Sequence, residues 1–143
     1  MVRIRPLPRP VDSSAGVLVV ADAPHSFPCR RCLRDAEPGE ELLLVAYDPF
    51  EVASPYSGPG PIYLHAAECA AYVGDEVPEQ QRRRLLSVRG YDGSSLMTGA
   101  AVVPGTELED AAAELFADAR TAFVHVHNAG PGCFAVRLDR EAV

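Results

Sequence analysis

The chain has 143 residues, of which 48% are hydrophobic and 23% are charged, and its formal net charge is -7 at pH 7. Such a chain has the usual size of one domain and can bury roughly 70% of its unfolded surface, so we expect a single domain over residues 1–143. The acidic charge argues against nucleic acid and anionic membrane surfaces as general partners, because both are bound through clustered positive charge.

The amino terminus carries no targeting signal. Met1–Pro10 holds three arginines and three prolines, and no apolar stretch follows it that could serve as a signal peptide or a transmembrane span. The sequence therefore predicts a soluble cytoplasmic protein, whose four cysteines are reduced thiols or metal ligands rather than disulfides. It does not indicate an oligomeric state.

Short β-strands separated by proline and glycine dominate the first half of the chain. Val17–Val20 is predicted to be a buried strand and Leu42–Tyr47 a central one, and Glu37–Glu40 between them has proline and glycine at the centre of a type II turn. Ser54–Pro61 must be a loop, since its three prolines cannot donate the backbone hydrogen bonds of a ladder. It leads into a strand over Ile62–His65.

The second half begins with a brief helix after Pro78, followed by predicted strands over Leu85–Tyr91 and Leu96–Val103. A capping box, in which Thr106 would cap the helix and Glu109 would cap back, then predicts a helix that runs to about residue 118. Its apolar residues recur at helical spacing, so it should pack as one stripe on a sheet.

An antiparallel hairpin is predicted at the carboxyl end. Thr121–His127 and Cys133–Arg140 both alternate apolar and polar residues, and Asn128–Gly132 would join them. The register that brings the apolar faces together places Val126 opposite Phe134. Together the elements predict an α+β fold with an antiparallel or mixed sheet, one main helix packed on it, and the hairpin inside the sheet.

Two pairs of residues have the spacing of metal ligands. Cys29 and Cys32 are separated by two residues, which lets both thiolates of a tight turn reach one ion, and His65 and Cys69 have the i, i+4 spacing of helical ligands. Zinc accepts four tetrahedral thiolate and imidazole ligands without redox change. The sequence therefore predicts a structural zinc site of the Cys3His type.

Two other interpretations of these residues stay open. The cysteines can be small buried hydrophobic residues with no metal between them, since cysteine is among the most buried residue types. Cys29 and Cys32 can also be a redox pair, although Pro38 and Gly39 would end at once the helix that such a pair normally precedes.

A second group of reactive side chains lies on the predicted hairpin. His125 and His127 share one face of their strand, and the predicted register places His127 opposite Cys133, with Arg137 on the same face. A thiol beside a histidine is the minimal arrangement for covalent catalysis, and arginine can hold an anion. These four residues, walled by the Ser54–Pro61 loop, predict a pocket for a small molecule or for catalysis. The alternative is a half-exposed sheet face without a ligand.

Several blocks of the sequence are distinctive in their order along the chain. They are Phe27–Arg30, Asp35–Glu40, Ser54–Tyr56, and His125–Ala129 followed by Gly132–Ala135. From about Ala21 onward they make the chain similar to a family of small bacterial proteins known only as a domain of unknown function. The resemblance implies a bacterial single-domain protein, and it implies no particular activity.

Overall fold

Eight β-strands and two short α-helices lie along residues 2–141, which are the residues that the computed structural model describes. In chain order they are β1 (Val2–Arg5), β2 (Val17–Val20), β3 (Glu41–Tyr47), β4 (Gly60–His65), α1 (Glu79–Arg82), β5 (Leu85–Tyr91), β6 (Met97–Pro104), α2 (Leu108–Phe116), β7 (Phe123–Asn128) and β8 (Phe134–Arg140). Neither helix of these described residues is long and apolar enough to cross a membrane.

The strands form two antiparallel sheets. The larger sheet has the order β1-β8-β7-β5-β6 and the smaller sheet the order β2-β3-β4, and all neighbours are antiparallel. The predicted hairpin lies inside the larger sheet, as expected. The α+β prediction holds in outline, but the expectation of one main helix overstates the helical part. The fold is mostly β, and α2 has only 9 residues.

The predicted strands are confirmed with one change in burial and one addition. β2 has the predicted bounds, yet it is an edge strand whose Val17, Leu18 and Val20 are more than half exposed. The prediction of a buried strand is wrong here, because β2 lies at the edge of the smaller sheet and only its Val19 packs against a core cluster. β1 is an addition. Its two buried residues, Val2 and Ile4, are too few to stand out as a periodic pattern.

The helix begins later and ends earlier than the capping box predicts. Thr106 does not cap it by a side-chain hydrogen bond; it lies in a 3-10 turn over Gly105–Glu107, and the α-helix runs from Leu108 to Phe116. The turn is held by the amide of Gly105, which donates to the carbonyl oxygen of Arg84 at 2.7 Å. This tertiary bond replaces the local cap, and the α-helix begins at Leu108, directly after the 3-10 turn.

The predicted register of the hairpin is also wrong. Val126 pairs with Val136, whereas His127 pairs with Phe134, so Ala135 is an extra residue in β8 between the two pairs. Such a bulge re-aims the side chains that follow it. The side chain of Val136 lies on the same face of the sheet as that of Val126. Phe134 lies on the opposite face, where its ring centroid is 6.0 Å from that of His127.

The larger sheet is covered on both faces. On one face α2 packs on the strands, and Ala112 belongs to the same buried cluster as Val126. On the other face Phe134 joins Val45 and Ile62 of the smaller sheet in a second cluster. The bulge in β8 therefore makes the contact between the two sheets, since it places the Phe134 ring on the side where the smaller sheet lies.

Replacing Gly105 with alanine is expected to destabilise the fold by about 2 kcal/mol, because an added methyl would overlap the Gln81 carbonyl oxygen and lie 2.8 Å from the Arg82 Cα atom. These are backbone atoms of α1 and cannot rotate away. Urea unfolding followed by circular dichroism measures the change. Gly93→Ala is the matched control, since its methyl would meet no atom within 4 Å. Equal stability of the two variants would contradict the expected close packing.

Candidate metal centre

Cys29 and Cys32 lie in a tight turn that backbone hydrogen bonds attach to β4. The amide of Cys29 donates to the carbonyl oxygen of Arg34 at 3.1 Å, which closes the turn. The amide of Arg30 donates to the carbonyl oxygen of Tyr63 in β4 at 2.9 Å. The turn is therefore held against the strand that ends in His65.

His65 is the last residue of β4, and Cys69 lies in the loop that follows. The i, i+4 spacing of these two residues is typical of ligands on a helix, but the loop has no helical turn. The loop comes back to the cysteine turn because the amide of Tyr72 donates to the carbonyl oxygen of Arg31 at 2.8 Å. The two ligand pairs thus meet through tertiary hydrogen bonds rather than through a helix.

The four predicted ligands converge on one point. The Sγ atoms of Cys29, Cys32 and Cys69 and a ring nitrogen of His65 all lie within 4.8 Å of one another. The Sγ atoms of Cys29 and Cys69 are 3.8 Å apart, and Cys32 Sγ is 3.5 Å from His65 Nδ1. Both cysteines of the turn are buried, and the other two residues are half-buried. The group could hold one metal ion.

Hydrogen bonding prepares Cys29 to carry negative charge. The contact with the Cys32 thiol lowers the pKa of Cys29 well below its usual range, and backbone amides, including that of His65 at 3.4 Å from Sγ, act in the same direction. The same contact, together with burial, raises the pKa of Cys32. A cation placed between these sulfurs would favour the thiolate form of each and so bind both.

The ring of His65 is oriented by a carboxylate. Its Nε2 atom lies 3.4 Å from Oε1 of Glu40, while Nδ1 points toward Cys32. Glu40 is itself held by the amide of Glu37, and this bond and the nearby His65 lower the pKa of Glu40. If Nε2 carries the proton and donates it to the carboxylate, the lone pair of Nδ1 is free to bind a metal. A hydrogen bond of this kind from the second ring nitrogen is the usual support of an imidazole ligand. The sequence analysis did not identify Glu40 as part of the site.

The other predicted site residues lie in different surroundings. Arg137 donates to Asp139 and Glu51, each at 2.7 Å, and its guanidinium lies 4.3 Å from the centroid of the Phe123 ring. Its charge is therefore already paired with carboxylates. His125 pairs with Arg137 across the strands but points into an aromatic cluster.

His125 is completely buried, with an exposed fraction of 0%. The rings of Phe50, Phe123 and Phe134 lie around it with centroids 4.6 to 5.1 Å away, and neither ring nitrogen has a hydrogen-bond partner among the described residues. Burial, with smaller contributions from the nearby His127 and arginines, lowers the pKa of His125 to about 3. The ring is therefore neutral at pH 7 and sealed from solvent.

His127 and Cys133 line a cavity of about 150 Å³ together with Tyr56 and residues 58–61 of the proline-rich loop. His127 is held by a contact of 2.9 Å between its Nδ1 atom and the carbonyl oxygen of Gly132, and burial lowers its pKa to about 4. Its Nε2 atom is buried without a partner among residues 2–141. The structure thus brings two of the four residues of the predicted pocket to one cavity and leaves His125 and Arg137 outside it.

Arg30 is a site residue that the sequence analysis did not identify. Its guanidinium is 1% exposed and donates to the carbonyl oxygens of Phe134 and Pro28 and, at 2.9 Å, to Sγ of Cys133. Burial lowers the pKa of Arg30. The same sulfur accepts a hydrogen bond from Nδ2 of Asn128 at 3.5 Å. An arginine between two cysteines gives no signal of its own in the sequence, since that position is normally exposed.

A family model described as "Protein of unknown function (DUF1203)" matches residues 26–140, a segment that contains all eight candidate residues. No curated protein and no solved structure matches the chain.

Proposed function

Because the chain belongs to the DUF1203 family, whose function is unknown, we propose its function from the site itself: it is a zinc-binding domain in which one ion is held by Cys29, Cys32, His65 and Cys69. The role of the ion is structural. It would hold the irregular segment before β3 to the end of β4 and to the loop that follows.

The distances between the donor atoms carry this proposal. A tetrahedral zinc ion with bonds of about 2.3 Å to sulfur and about 2.0 Å to nitrogen places two sulfurs about 3.8 Å apart and a sulfur and a nitrogen about 3.5 Å apart. The corresponding distances here are 3.8 Å between Cys29 and Cys69 and 3.5 Å between Cys32 and His65. All four donor atoms lie within 4.8 Å of one another, as ligands of one ion must.

The donor set favours zinc over other common cations. Three thiolates and one imidazole are soft and borderline ligands, whereas magnesium and calcium require oxygen ligands. A redox role for Cys29 and Cys32 has less support, because the turn that holds them is not followed by a helix whose dipole would activate a thiol. The carboxylate of Glu40 behind His65 also fits a ligand imidazole better than a disulfide pair.

Four protein ligands complete a tetrahedral shell and leave no position for a water molecule. A site of this kind stabilises a fold and does not activate water for hydrolysis. The segment from Ala21 to Glu40 forms no helix or strand longer than a bridge, so its backbone hydrogen bonds alone would hold it weakly. A metal ion bound by Cys29 and Cys32 would attach this segment to the end of β4.

The test is the metal content of the full chain purified without chelator. We expect about one zinc atom per chain by inductively coupled plasma mass spectrometry. Cys69→Ser should weaken zinc binding at least about tenfold in competition with a chromophoric chelator, because serine is a poor zinc ligand. Cys133→Ser is the matched control and should keep its zinc, since Cys133 is outside the four-residue group. A native protein without metal, or equal loss of zinc from both variants, would exclude the proposed site.

A further inference from the structure

The segment that carries Cys69 has few side chains that could hold it in place. Of residues 66–71, four are alanines and the other two are Glu68 and Cys69. Cys69 is half-buried, whereas the other five residues are exposed. An exposed alanine offers neither a hydrogen bond nor much buried apolar surface, so the position of this segment depends on its backbone and on the thiol.

The backbone of the segment is bonded to the rest of the fold at its two ends. The amide of Ala66 donates to the carbonyl oxygen of Glu41 at 3.0 Å, and the amide of Tyr72 donates to that of Arg31 at 2.8 Å. Residues 67–71, all of which the structure describes, make no backbone hydrogen bond. We call these five residues the strap. Its middle is therefore attached to the body of the protein through Cys69.

The contacts of the Cys69 sulfur with other side chains are weak. Its Sγ atom lies 3.8 Å from that of Cys29, and it accepts a hydrogen bond from Nη1 of Arg31 at 4.0 Å. Sulfur is a weak hydrogen-bond partner, and the conformational entropy of a five-residue segment opposes its fixation. A coordinate bond from a metal ion to Cys69 would be strong enough to hold the strap, whereas these two contacts would not.

The other three proposed ligands are held without the strap. Cys29 and Cys32 lie in the turn that backbone hydrogen bonds attach to β4, and His65 is the last residue of β4 itself. Both cysteines of this turn are also buried, in contrast to Cys69. Three ligands therefore belong to the framework of the fold, and the fourth is carried by a segment that the framework does not fix.

The strap separates two cavities beside the metal ligands. One, of about 680 Å³, is lined by Cys69 and by Leu43 and Leu64 of the smaller sheet. The other, of about 550 Å³, is lined by Cys32. Ala70 of the strap lines both. Displacement of the strap would join the two cavities and open a path from solvent to the ligands.

We propose that the strap is a gate whose position is set by the metal, with Cys69 as the last ligand to bind the ion and the first to leave it. When Cys69 binds the ion, the strap lies against the cysteine turn and the site is closed. When the ion is removed, the strap moves into solvent while both sheets stay folded, as a local opening. The inference rests on the proposed zinc site and assigns unequal roles to its four ligands.

Cleavage by a glutamate-specific serine protease tests the gate, because Glu68 lies within the strap and a protease cuts segments that open. The full chain loaded with zinc is compared with the same chain in a strong chelator, and mass spectrometry identifies the fragments. We expect cleavage after Glu68 to be at least about tenfold faster in chelator. Cleavage after Glu109, which lies in α2, reports global unfolding and should change much less.

The two cleavage sites distinguish the gate from other effects of metal loss. Equal acceleration after Glu68 and after Glu109 would mean that the whole chain unfolds, and the gate would be excluded. The zinc content of each sample is measured in parallel. A chain that binds and releases zinc with no change in cleavage after Glu68 would overturn the gate and leave the metal site standing. A chain that never binds zinc would overturn both.

Cys69→Ser assigns the effect to the ligand on the strap. In this variant cleavage after Glu68 should be equally fast with and without zinc, because serine is a poor zinc ligand and does not hold the strap. Each variant is compared with itself, so the change beside the cleaved bond cancels. Cys133→Ser is the matched control and should keep the response of the wild-type chain to zinc. Protection of Cys69→Ser by zinc would show that other contacts hold the strap, contrary to the proposal.

Discussion

Substituting Cys29 with serine is expected to lower the free energy of unfolding by about 4 kcal/mol or more, which is a large part of the 5–15 kcal/mol typical of a domain. Cys29 is the most buried of the four proposed ligands, at 0% exposure, and its sulfur accepts a hydrogen bond from the amide of His65 in β4 at 3.4 Å. In the proposed site, loss of this ligand would open the zinc shell, and the free energy of metal binding is folding free energy in small metal-bound segments.

Urea unfolding with and without a strong chelator measures this effect and assigns it to the metal. Chelator should destabilise the wild-type chain by an amount similar to the substitution, and it should have little further effect on Cys29→Ser, since both changes remove the same interaction. Equal destabilisation of both proteins by chelator would mean that the metal is bound elsewhere. No effect of chelator on either protein would exclude a structural ion.

Acid is expected to destabilise the fold through His125. The pKa of His125 is about 3 in the folded chain and about 6.5 in an unfolded one. Below pH 6.5 the unfolded chain therefore binds a proton that the folded chain does not, and stability falls as the pH falls toward 3. The loss is about 1.4 kcal/mol per pH unit, so it reaches about 3 kcal/mol at pH 4. His127, with a lowered pKa of about 4, acts in the same direction.

His125→Leu isolates this contribution. Leucine has a similar volume, suits the surrounding aromatic rings, and leaves no buried nitrogen without a partner. The variant should be as stable as the wild type at pH 7 and more stable by about 3 kcal/mol at pH 4, as measured by urea unfolding across that range. Release of metal in acid affects both proteins alike, so it cancels in the difference. Parallel stability curves for the two proteins would contradict the buried neutral imidazole.

The sequence by itself determined the candidate ligands and most of the strands. The spacing of Cys29 and Cys32 is a local property of a turn, so it could be read without knowing the fold. The alternating patterns of Thr121–His127 and Cys133–Arg140 predict the hairpin for the same reason, because the two faces of a strand are set by each residue's neighbours in the chain. The family resemblance over most of the chain was likewise visible in short blocks of sequence.

Only the tertiary structure decided the register of the strands and which side chains are buried between the layers. The bulge at Ala135 changes the hairpin register and turns Phe134 toward His127, and no local pattern reveals an inserted residue. His125 and His127 alternate with valines as if half-exposed, yet packing by the smaller sheet and the loop at Phe50 seals His125 completely. The burial of a strand residue depends on which other element packs over that face of the sheet. The sequence of the strand itself does not show which element this is.

The pairing of Arg30 with Cys133 is the clearest case of this limit. The two residues are 103 positions apart along the chain, and they meet only because the cysteine turn is bonded to β4 while β4 packs against β8. Residue types and spacing report contacts within a turn or a strand, where covalent geometry restricts the distance. A contact across sheets depends instead on the packing of the whole core, which is the sum of many weak interactions and has no signature at either of the two residues.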